Sequence, residues 1–231
     1  MRLPSLILFD WDDTLWDFQK NSDETILELA KKYKLPVGTA DLLSTYHEVN
    51  TYLWGQYQKH VLSQAEFRQK RFRAFFESLD LLGMYDQSTI SQFSSDYIEA
   101  CPQKNNLIPG AKGVLNTLQS MGIRVSVATN GFHEVQEIKV RHSGLSPLLS
   151  TIHSPKSTGF RKPNPAYFKA ICDSEAVKMQ DVWMVGDELH TDAKAADEVG
   201  VKGIWYNPAG HKKGQFKNEI SELPQLLEMF N

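Results

Sequence analysis

A short apolar run that ends in acidic residues lies near the start of the chain: Leu6-Ile7-Leu8-Phe9-Asp10-Trp11-Asp12-Asp13-Thr14-Leu15. Four apolar residues, too few for a helix and without polar alternation, predict a strand buried on both faces. Because side chains alternate along an extended chain, Asp10 and Asp12 point to one side and Trp11 to the other. Neighbouring carboxylates repel each other unless a cation lies between them. The carboxyl ends of parallel strands also bind ligands. We therefore predict a functional site here; a turn that only caps a helix is the alternative.

The composition is that of an ordinary globular protein. The 231 residues are 41% hydrophobic and 23% charged, which suits one large domain or one domain with an insert. A formal net charge of −3 gives no basic surface for a nucleic acid polymer or a membrane. Cys101 and Cys172 lack metal-ligand spacing and are expected to be reduced core thiols. No apolar run approaches the about 20 residues of a membrane span, and no signal peptide precedes the first strand. These features predict a cytoplasmic protein.

Residues 17–104 show only helical patterns. Asn21 and Glu24 resemble a capping box at the start of a first helix, and Ser63 and Glu66 resemble one at the start of a third. Apolar residues recur at helical spacing in four segments, and no strand pattern interrupts them. We predict an all-helical insert with a small core of its own.

From residue 105 onward, short apolar strands alternate with helices, one of which carries Val135 and Ile138 at helical spacing. The strands are predicted at 123–129, 151–154, 182–187 and, as the last, 203–206. This alternation predicts a doubly wound parallel sheet. The expected fold is therefore a Rossmann-like α/β core, residues 1–16 and 105–231, with residues 17–104 as a helical domain inserted into it.

Polar groups of complementary kinds follow three predicted strands and occupy one loop, and in a parallel sheet such strand ends share one edge. Singly, each has an ordinary explanation as a turn, a surface lysine or a helix cap. Their joint occurrence in this order predicts a site. The groups are Asp10 and Asp12, Thr129 with Asn130 and Gly131, Lys162, and Asp187 with Asp192.

These residue types suit the transfer of a phosphoryl group. Asp10, Asp12 and Asp187 supply hard oxygen ligands of the kind that Mg²⁺ prefers. The Thr129 hydroxyl, the amides around Asn130 and the Lys162 ammonium are donors for a phosphoryl group. One carboxylate can attack phosphorus to form an aspartyl-phosphate. The other can protonate the leaving oxygen and then deprotonate a water.

The four motifs together resemble those of the haloacid dehalogenase-like (HAD) superfamily, over essentially the whole chain. The motifs are residues 10–15, Thr129, Lys162 within Arg-Lys-Pro-Asn-Pro, and residues 186–192. The resemblance implies that Asp10 is the nucleophile and Asp12 the general acid/base. It implies Mg²⁺ as the cofactor, held by Asp10, the backbone carbonyl of Asp12 and Asp187.

The same resemblance assigns phosphate binding to Thr129 and Lys162, with Asn130 beside them. Asp192 would orient Lys162 or the waters of the metal. Asp12 argues against the dehalogenase branch of the family, which lacks an acid at this position because no leaving alkoxide needs a proton.

The helical insert is similar to the family's C1 cap, a lid that closes over the substrate. Within it, residues around Asn50 and Arg71 resemble the YjjG-type pyrimidine 5′-nucleotidases, and Asn50 is the candidate for substrate specificity. Three features depart from the family pattern. Asp13 stands where most members have glycine, Trp11 is bulkier than usual and would narrow the pocket, and residues 154–157 lack an acidic pair.

The leading hypothesis is a Mg²⁺-dependent phosphomonoesterase for a small molecule, with a pyrimidine nucleoside 5′-monophosphate as substrate and a monomer or small homo-oligomer as the assembly. Phosphatases of sugar phosphates or phosphoglycolate, and a phosphomutase, are alternatives. A phosphoacceptor domain of the response-regulator kind also combines acids, threonine and lysine in a doubly wound fold. The long insert and Asp12 count against it. A silent binding protein is disfavoured because every chemical group is present.

Overall fold

The chain folds into two compact units. The structure, a computed structural model, describes residues 3–211 and 213–230. One unit comprises Met1–Phe18 and Lys104–Asn231, and the other comprises Gln19–Gln103. No helix in the described ranges is both long enough and apolar enough to cross a membrane.

Four helices and a short 3₁₀ turn, Cys101–Gln103, form the second unit. The helices are α1 (Phe18–Tyr33), α2 (Thr39–Gln58), α3 (Gln64–Ser78) and α4 (Gln87–Ala100). Aromatic side chains fill its core, with Tyr46, Phe72, Phe75 and Phe93 all at most 1% exposed. Their apolar area is the main source of stability for so small a unit.

One of the two predicted helix starts in this unit is confirmed and the other is wrong. The Ser63 hydroxyl accepts from the Glu66 N–H at 3.2 Å, and the Ser63 N–H donates to the Glu66 carboxylate at 2.8 Å. Asn21, by contrast, is buried inside α1, and its carbonyl accepts from the Thr25 hydroxyl at 2.7 Å. The helix therefore begins at Phe18, because Asn21 is a packed interior residue rather than a cap.

The first unit is built on a sheet of six parallel strands. They are β1 (Leu6–Phe9), β2 (Arg124–Ala128), β3 (Ile152–His153), β4 (Val182–Gly186), β5 (Lys202–Tyr206) and β6 (Glu219–Ile220). The strand order is β3-β2-β1-β4-β5-β6, so β1 lies at the centre. All residues of β1 are fully buried, as expected for a strand covered on both faces. The predicted doubly wound α/β fold is confirmed.

The register aligns the carboxyl ends of the central strands. Phe9, the last residue of β1, pairs with Val127 of β2 and with Val185 of β4. The residues that follow β1, β2 and β4 therefore lie at one edge of the sheet. The order reverses between β1 and β4, and this reversal is where open α/β sheets bind their ligands.

Helices cover both faces of this sheet. They are α5 (Ala111–Ser120), α6 (His133–His142), α7 (Pro155–Thr158), α8 (Pro165–Ser174), α9 (Ala195–Glu198) and α10 (Gln225–Glu228). The turn Leu189–Lys194, with π-helical geometry, connects β4 to α9. Beneath the sheet edge, Leu6, Leu8 and Met184 pack against Tyr167 and Phe168 of α8.

Two features of this unit differ from the sequence prediction. β5 is not the last strand, because the two-residue strand β6 follows it; a pair such as Glu219 and Ile220 is too short to carry a strand pattern. In α6, Gln136 and Lys139 are buried, whereas Val135 and Ile138 are half-exposed.

Candidate active site

Three carboxylates meet at the carboxyl edge of the sheet. Asp10 follows β1, Asp187 follows β4, and Asp192 lies in the turn after β4. One oxygen atom from each carboxylate lies within 4.8 Å of the other two. A group of hard oxygen donors at this spacing suits a small divalent cation such as Mg²⁺.

Gly186 makes room for Asp192 in this cluster. A Cβ atom at position 186 would lie 2.2 Å from Asp192 Oδ2, too close for any side chain. The Glu188 N–H donates to the same Oδ2 atom at 3.1 Å. The glycine before Asp187 is therefore required by the close approach of a fully buried carboxylate.

Lys162 joins two of the three acids. Its Nζ atom donates to Asp10 Oδ1 at 2.9 Å and to Asp192 Oδ1 at 2.6 Å. The side chains of Lys162, Asp10 and Asp192 are only 3%, 13% and 0% exposed. Removing one partner of a buried ion pair strongly destabilises the fold, because the other charge is left buried without compensation.

The side chain of Asn130 holds the Lys162 backbone in place. Asn130 Nδ2 donates to the Lys162 carbonyl, and Asn130 Oδ1 accepts from the Lys162 N–H, both at 2.9 Å. The sequence prediction groups Asn130 with the phosphate-binding residues. In the structure both the oxygen and the nitrogen of its side-chain amide bind the Lys162 backbone, so this side chain positions Lys162.

Burial is the largest cause of the pKa shifts of the three clustered carboxyl groups. It raises the pKa of Asp10 to about 7; Lys162 opposes this rise, and the neighbouring acids Asp192 and Asp12 add to it. Burial also raises the pKa of Asp187 and of Asp192. Burial alone would lower the pKa of Lys162, but the charges of Asp10 and Asp192 outweigh it and leave that pKa raised. When the three acids are ionised, they carry more negative charge than the one ammonium neutralises.

Thr14 orients Asp187. The Thr14 hydroxyl donates to Asp187 Oδ1 and accepts from the Asp187 N–H, both at 3.1 Å. The indole N–H of Trp205 donates to the Asp187 carbonyl at 2.8 Å. Neither residue was among the predicted site residues. Thr14 lies in the first motif, two residues after Asp12, and this position is the sequence signal that could have identified it.

Thr129 follows β2 at the same edge and is buried. Its Oγ1 atom accepts from the Gly131 N–H at 2.9 Å. The Gly131 N–H, one of the backbone amides expected to bind phosphate, therefore donates to a side chain of the chain itself. Thr129 and Lys162 remain the phosphate-binding candidates among the residues named for that role.

Asp12 contacts helix α6 and is not one of the three clustered carboxylates. Its Oδ1 atom accepts from Lys139 Nζ at 2.5 Å, and its Oδ2 atom accepts from Gln136 Nε2 at 2.8 Å. The cation beside Asp12 is thus a lysine of the chain. Neither Gln136 nor Lys139 was predicted from the sequence, because both are polar residues of a helix and lie outside the four motifs.

The family profile of haloacid dehalogenase-like hydrolases matches residues 4–200. The chain belongs to this family. It is therefore a hydrolase, and the predicted resemblance to the HAD superfamily is confirmed.

Three known proteins are similar to this chain over nearly its whole length. The crystal structure of the HAD-hydrolase YfnB from Bacillus subtilis, bound to magnesium, has a TM-score of 0.86 and 26% identity, and the alignment covers all of both chains. The pyrimidine 5′-nucleotidase PynA of Streptococcus pneumoniae is 27% identical over 96% of this chain and 93% of its own. The glyceraldehyde 3-phosphate phosphatase of Pyrococcus furiosus is 26% identical over 99% of this chain and 94% of its own.

The structure accounts for two departures from the HAD pattern. Asp13 has a φ of 59°, in the left-handed region that glycine adopts most easily and that aspartate tolerates better than most residues. The backbone of the turn is thus one that glycine would also adopt. Trp11 is fully buried, and its bulk fills the interior of the unit.

Two polar side chains of the helical unit, Asn50 and Arg71, lie in the segments that the sequence links to a prediction of substrate specificity. Asn50, on α2, is half-buried. Arg71, on α3, is only 8% exposed, and its guanidinium carbon lies 4.6–5.1 Å from the ring centroids of Phe67, Phe72 and Tyr97. Its Nε atom has no hydrogen-bond acceptor among the described residues. Cation–π contacts compensate part of the cost of burying this charge.

Proposed function

We propose that this chain is a Mg²⁺-dependent phosphomonoesterase that acts through an aspartyl-phosphate on Asp10, with a pyrimidine nucleoside 5′-monophosphate as its substrate. The observation that carries the proposal is the pairing of two acids with different surroundings. Asp10 lies in the carboxylate cluster beside Lys162, and Asp12 lies outside it against α6. These different surroundings support attack by Asp10 and proton transfer by Asp12.

The residues present fit Mg²⁺. When ionised, Asp10, Asp187 and Asp192 carry more negative charge than Lys162 neutralises, and a divalent cation would compensate the excess. Asp10, the backbone carbonyl of Asp12 and Asp187 would hold it, while Asp192 stays paired with Lys162. When bound, the ion supplies positive charge that stabilises negative oxygens of the phosphoryl group.

In the first half of the proposed reaction, a carboxylate oxygen of Asp10 attacks phosphorus. The bond from phosphorus to the alcohol oxygen breaks, and its electron pair stays on that oxygen. Asp12 gives its proton to the same oxygen, so a neutral nucleoside leaves. Lys162 and Thr129 bind the phosphoryl oxygens and hold the group in line with Asp10.

In the second half, a water molecule attacks the phosphorus of the aspartyl-phosphate. Asp12, now a carboxylate, takes a proton from that water. The bond between phosphorus and Asp10 breaks, inorganic phosphate leaves, and both acids return to their starting forms. No other reactant is needed.

The test is phosphate release from a panel of phosphomonoesters with Mg²⁺, repeated with a chelator. Release that is fastest from dUMP, dTMP or UMP, and lost with the chelator, supports the proposal. Release from many sugar phosphates would support the proposed phosphomonoesterase reaction but contradict the proposed pyrimidine nucleotide substrate. A stable phosphoryl group on Asp10 without release would indicate a phosphoacceptor domain.

A second candidate is a phosphatase of small sugar phosphates. The observation that favours it is the Pyrococcus furiosus relative, whose identity to this chain is within one percentage point of that of PynA, 26% against 27%. The same panel, with glyceraldehyde 3-phosphate included, separates the two candidates.

Metal binding has a consequence for stability. The pKa values of Asp10, Asp187 and Asp192 are raised in the fold. Their favourable contribution to the free energy of unfolding is therefore present at low pH. It is lost as the pH rises through the raised pKa values, about 7 for Asp10. Saturating Mg²⁺ should therefore raise the melting temperature at about pH 8 by about 5 °C, and by less at about pH 5.

Differential scanning fluorimetry measures this effect. The Asp187→Asn variant should lose most of the Mg²⁺ shift. Asp173→Asn, which changes a carboxylate on the exposed surface of α8, is the matched control and should keep it. An equal shift at both pH values would contradict the assignment of the cluster as the metal site.

Arg71 should help to select the leaving group. The Nε–H of Arg71, which has no acceptor among the described residues, can donate to a carbonyl oxygen such as those of a pyrimidine ring. We expect Arg71→Met to raise KM for pyrimidine monophosphates about tenfold, as for one lost hydrogen bond to a charged group, with little effect on p-nitrophenyl phosphate. Asn50→Ala is tested beside it, and Tyr52→Ala, an exposed position on α2, is the control. Equal KM changes on both substrates would contradict a role in selection.

A further inference from the structure

The Asp12 carboxylate is held from behind by two donors on one face of α6. Gln136 and Lys139 are three residues apart and therefore neighbours on the helix surface. Each donor takes a different oxygen: Lys139 Nζ contacts Oδ1 at 2.5 Å and Gln136 Nε2 contacts Oδ2 at 2.8 Å. With both oxygens engaged, the carboxylate is restricted to one orientation.

Burial shows that the donors belong to the interior. Gln136 and Lys139 are 1% and 4% exposed, whereas the Asp12 side chain is 30% exposed. The Lys139 ammonium also lies 4.2 Å from the ring centroid of Trp16. The Asp12 side chain thus stays partly exposed, while both of its carboxylate oxygens contact buried donors.

Gln136 also connects Asp12 to the phosphate-binding edge. Its Nε2 atom lies 3.2 Å from Thr129 Oγ1. A Cβ atom at position 131 would lie 2.0 Å from the same Nε2 atom, so Gly131 leaves the space that Gln136 occupies. The Gln136 Oε1 atom has no partner among the described residues, so the amide is placed at some cost in hydrogen bonding.

We propose that Gln136 and Lys139 are positioning residues that orient the Asp12 carboxyl group for proton transfer to the leaving oxygen. The inference rests on the proposed phosphomonoesterase function and adds two residues that no motif contains. Its physical basis is that misplacing a catalytic group by about 1 Å costs about 100-fold in rate.

The test separates orientation of the acid from general damage. Lys139→Met keeps the length and apolar stem of the side chain and removes the charge. We expect kcat/KM for an alkyl ester, dUMP, to fall about 100-fold, and kcat/KM for p-nitrophenyl phosphate to fall only about threefold, because p-nitrophenolate leaves without needing a proton. kcat/KM is the right quantity because it reports the steps up to loss of the alcohol.

A double-mutant cycle with Asp12→Asn gives a second readout. If Lys139 acts through Asp12, Asp12→Asn with Lys139→Met should be as slow on dUMP as Asp12→Asn alone. Lys139→Arg, which restores a cation, should recover most of the activity. Lys169→Met, at an exposed lysine paired with Asp173, is the matched control and should behave as the unsubstituted protein.

Equal losses on both esters, or losses that multiply in the double variant, would mean that Lys139 only supports the fold, and would overturn this inference alone. Gln136→Leu repeats the test if Lys139→Met does not fold. No phosphate release by the unsubstituted protein from either ester would overturn the proposed function and this inference with it.

Discussion

The Asp10→Asn variant is expected to lose phosphate release by at least about 10⁴-fold, the scale of loss when a covalent nucleophile is removed. An amide oxygen does not attack phosphorus as a carboxylate does, and the substitution also removes a proposed metal ligand. Because burial raises the pKa of Asp10, and because Asp192 still pairs with Lys162, replacing Asp10 by a neutral amide should destabilise the fold less than removing Lys162 does. The measurement is phosphate release with Mg²⁺, beside the melting temperature.

Asp13→Asn is the matched control for this variant. It makes the same chemical change three residues away, and asparagine readily adopts the positive φ of Asp13. We expect it to stay within about threefold of the unsubstituted protein, as for a side chain outside the reacting groups. Comparable losses in the two variants would show that the turn, and not the nucleophile, had been damaged.

The Lys162→Met variant is expected to lose both activity and stability. It leaves Asp10 and Asp192 buried without their cation, which should lower the free energy of unfolding by about 3 kcal/mol. Phosphate release should fall about 10³-fold, because a donor to the phosphoryl group is lost. The loss of stability should grow as the pH rises, since the acids that Lys162 partly neutralises are then ionised.

Denaturant unfolding at about pH 5 and about pH 8 measures the stability of this variant. Lys156→Met, at an exposed lysine in α7, is the control and should unfold as the unsubstituted protein does at both values. A pH-independent loss of stability in Lys162→Met would contradict the idea that the lysine compensates the carboxylate cluster.

Local patterns were sufficient for most of the fold. An uninterrupted apolar run predicts a buried strand, and β1 lies at the centre of the sheet with every residue buried. Ser63 and Glu66 act within one turn of helix, so their pattern alone predicts their hydrogen bonds. Asn21 has the same pattern but lies inside α1, which begins at Phe18, because tertiary packing buries it there.

The side chains that support the site were harder to predict. Thr14 and Asn130 act on residues 173 and 32 positions away in the chain, and no local rule relates such positions. In α6, helical spacing selects Val135 and Ile138 as the inner face, but the structure buries Gln136 and Lys139. Polar residues are buried here because each finds a charged or polar partner, which periodicity cannot show.

The sequence by itself determined the α/β class, the helical insert and the candidate residues of the site, because strand and helix periodicity and the spacing of acids after strands are local properties. Only the tertiary structure decided which groups meet. It placed Asp192 and Lys162 with Asp10, and it turned Asp12 toward Lys139. The reason is that these partners are brought together by the order of strands in the sheet, and burial then selects the pairs whose charges compensate.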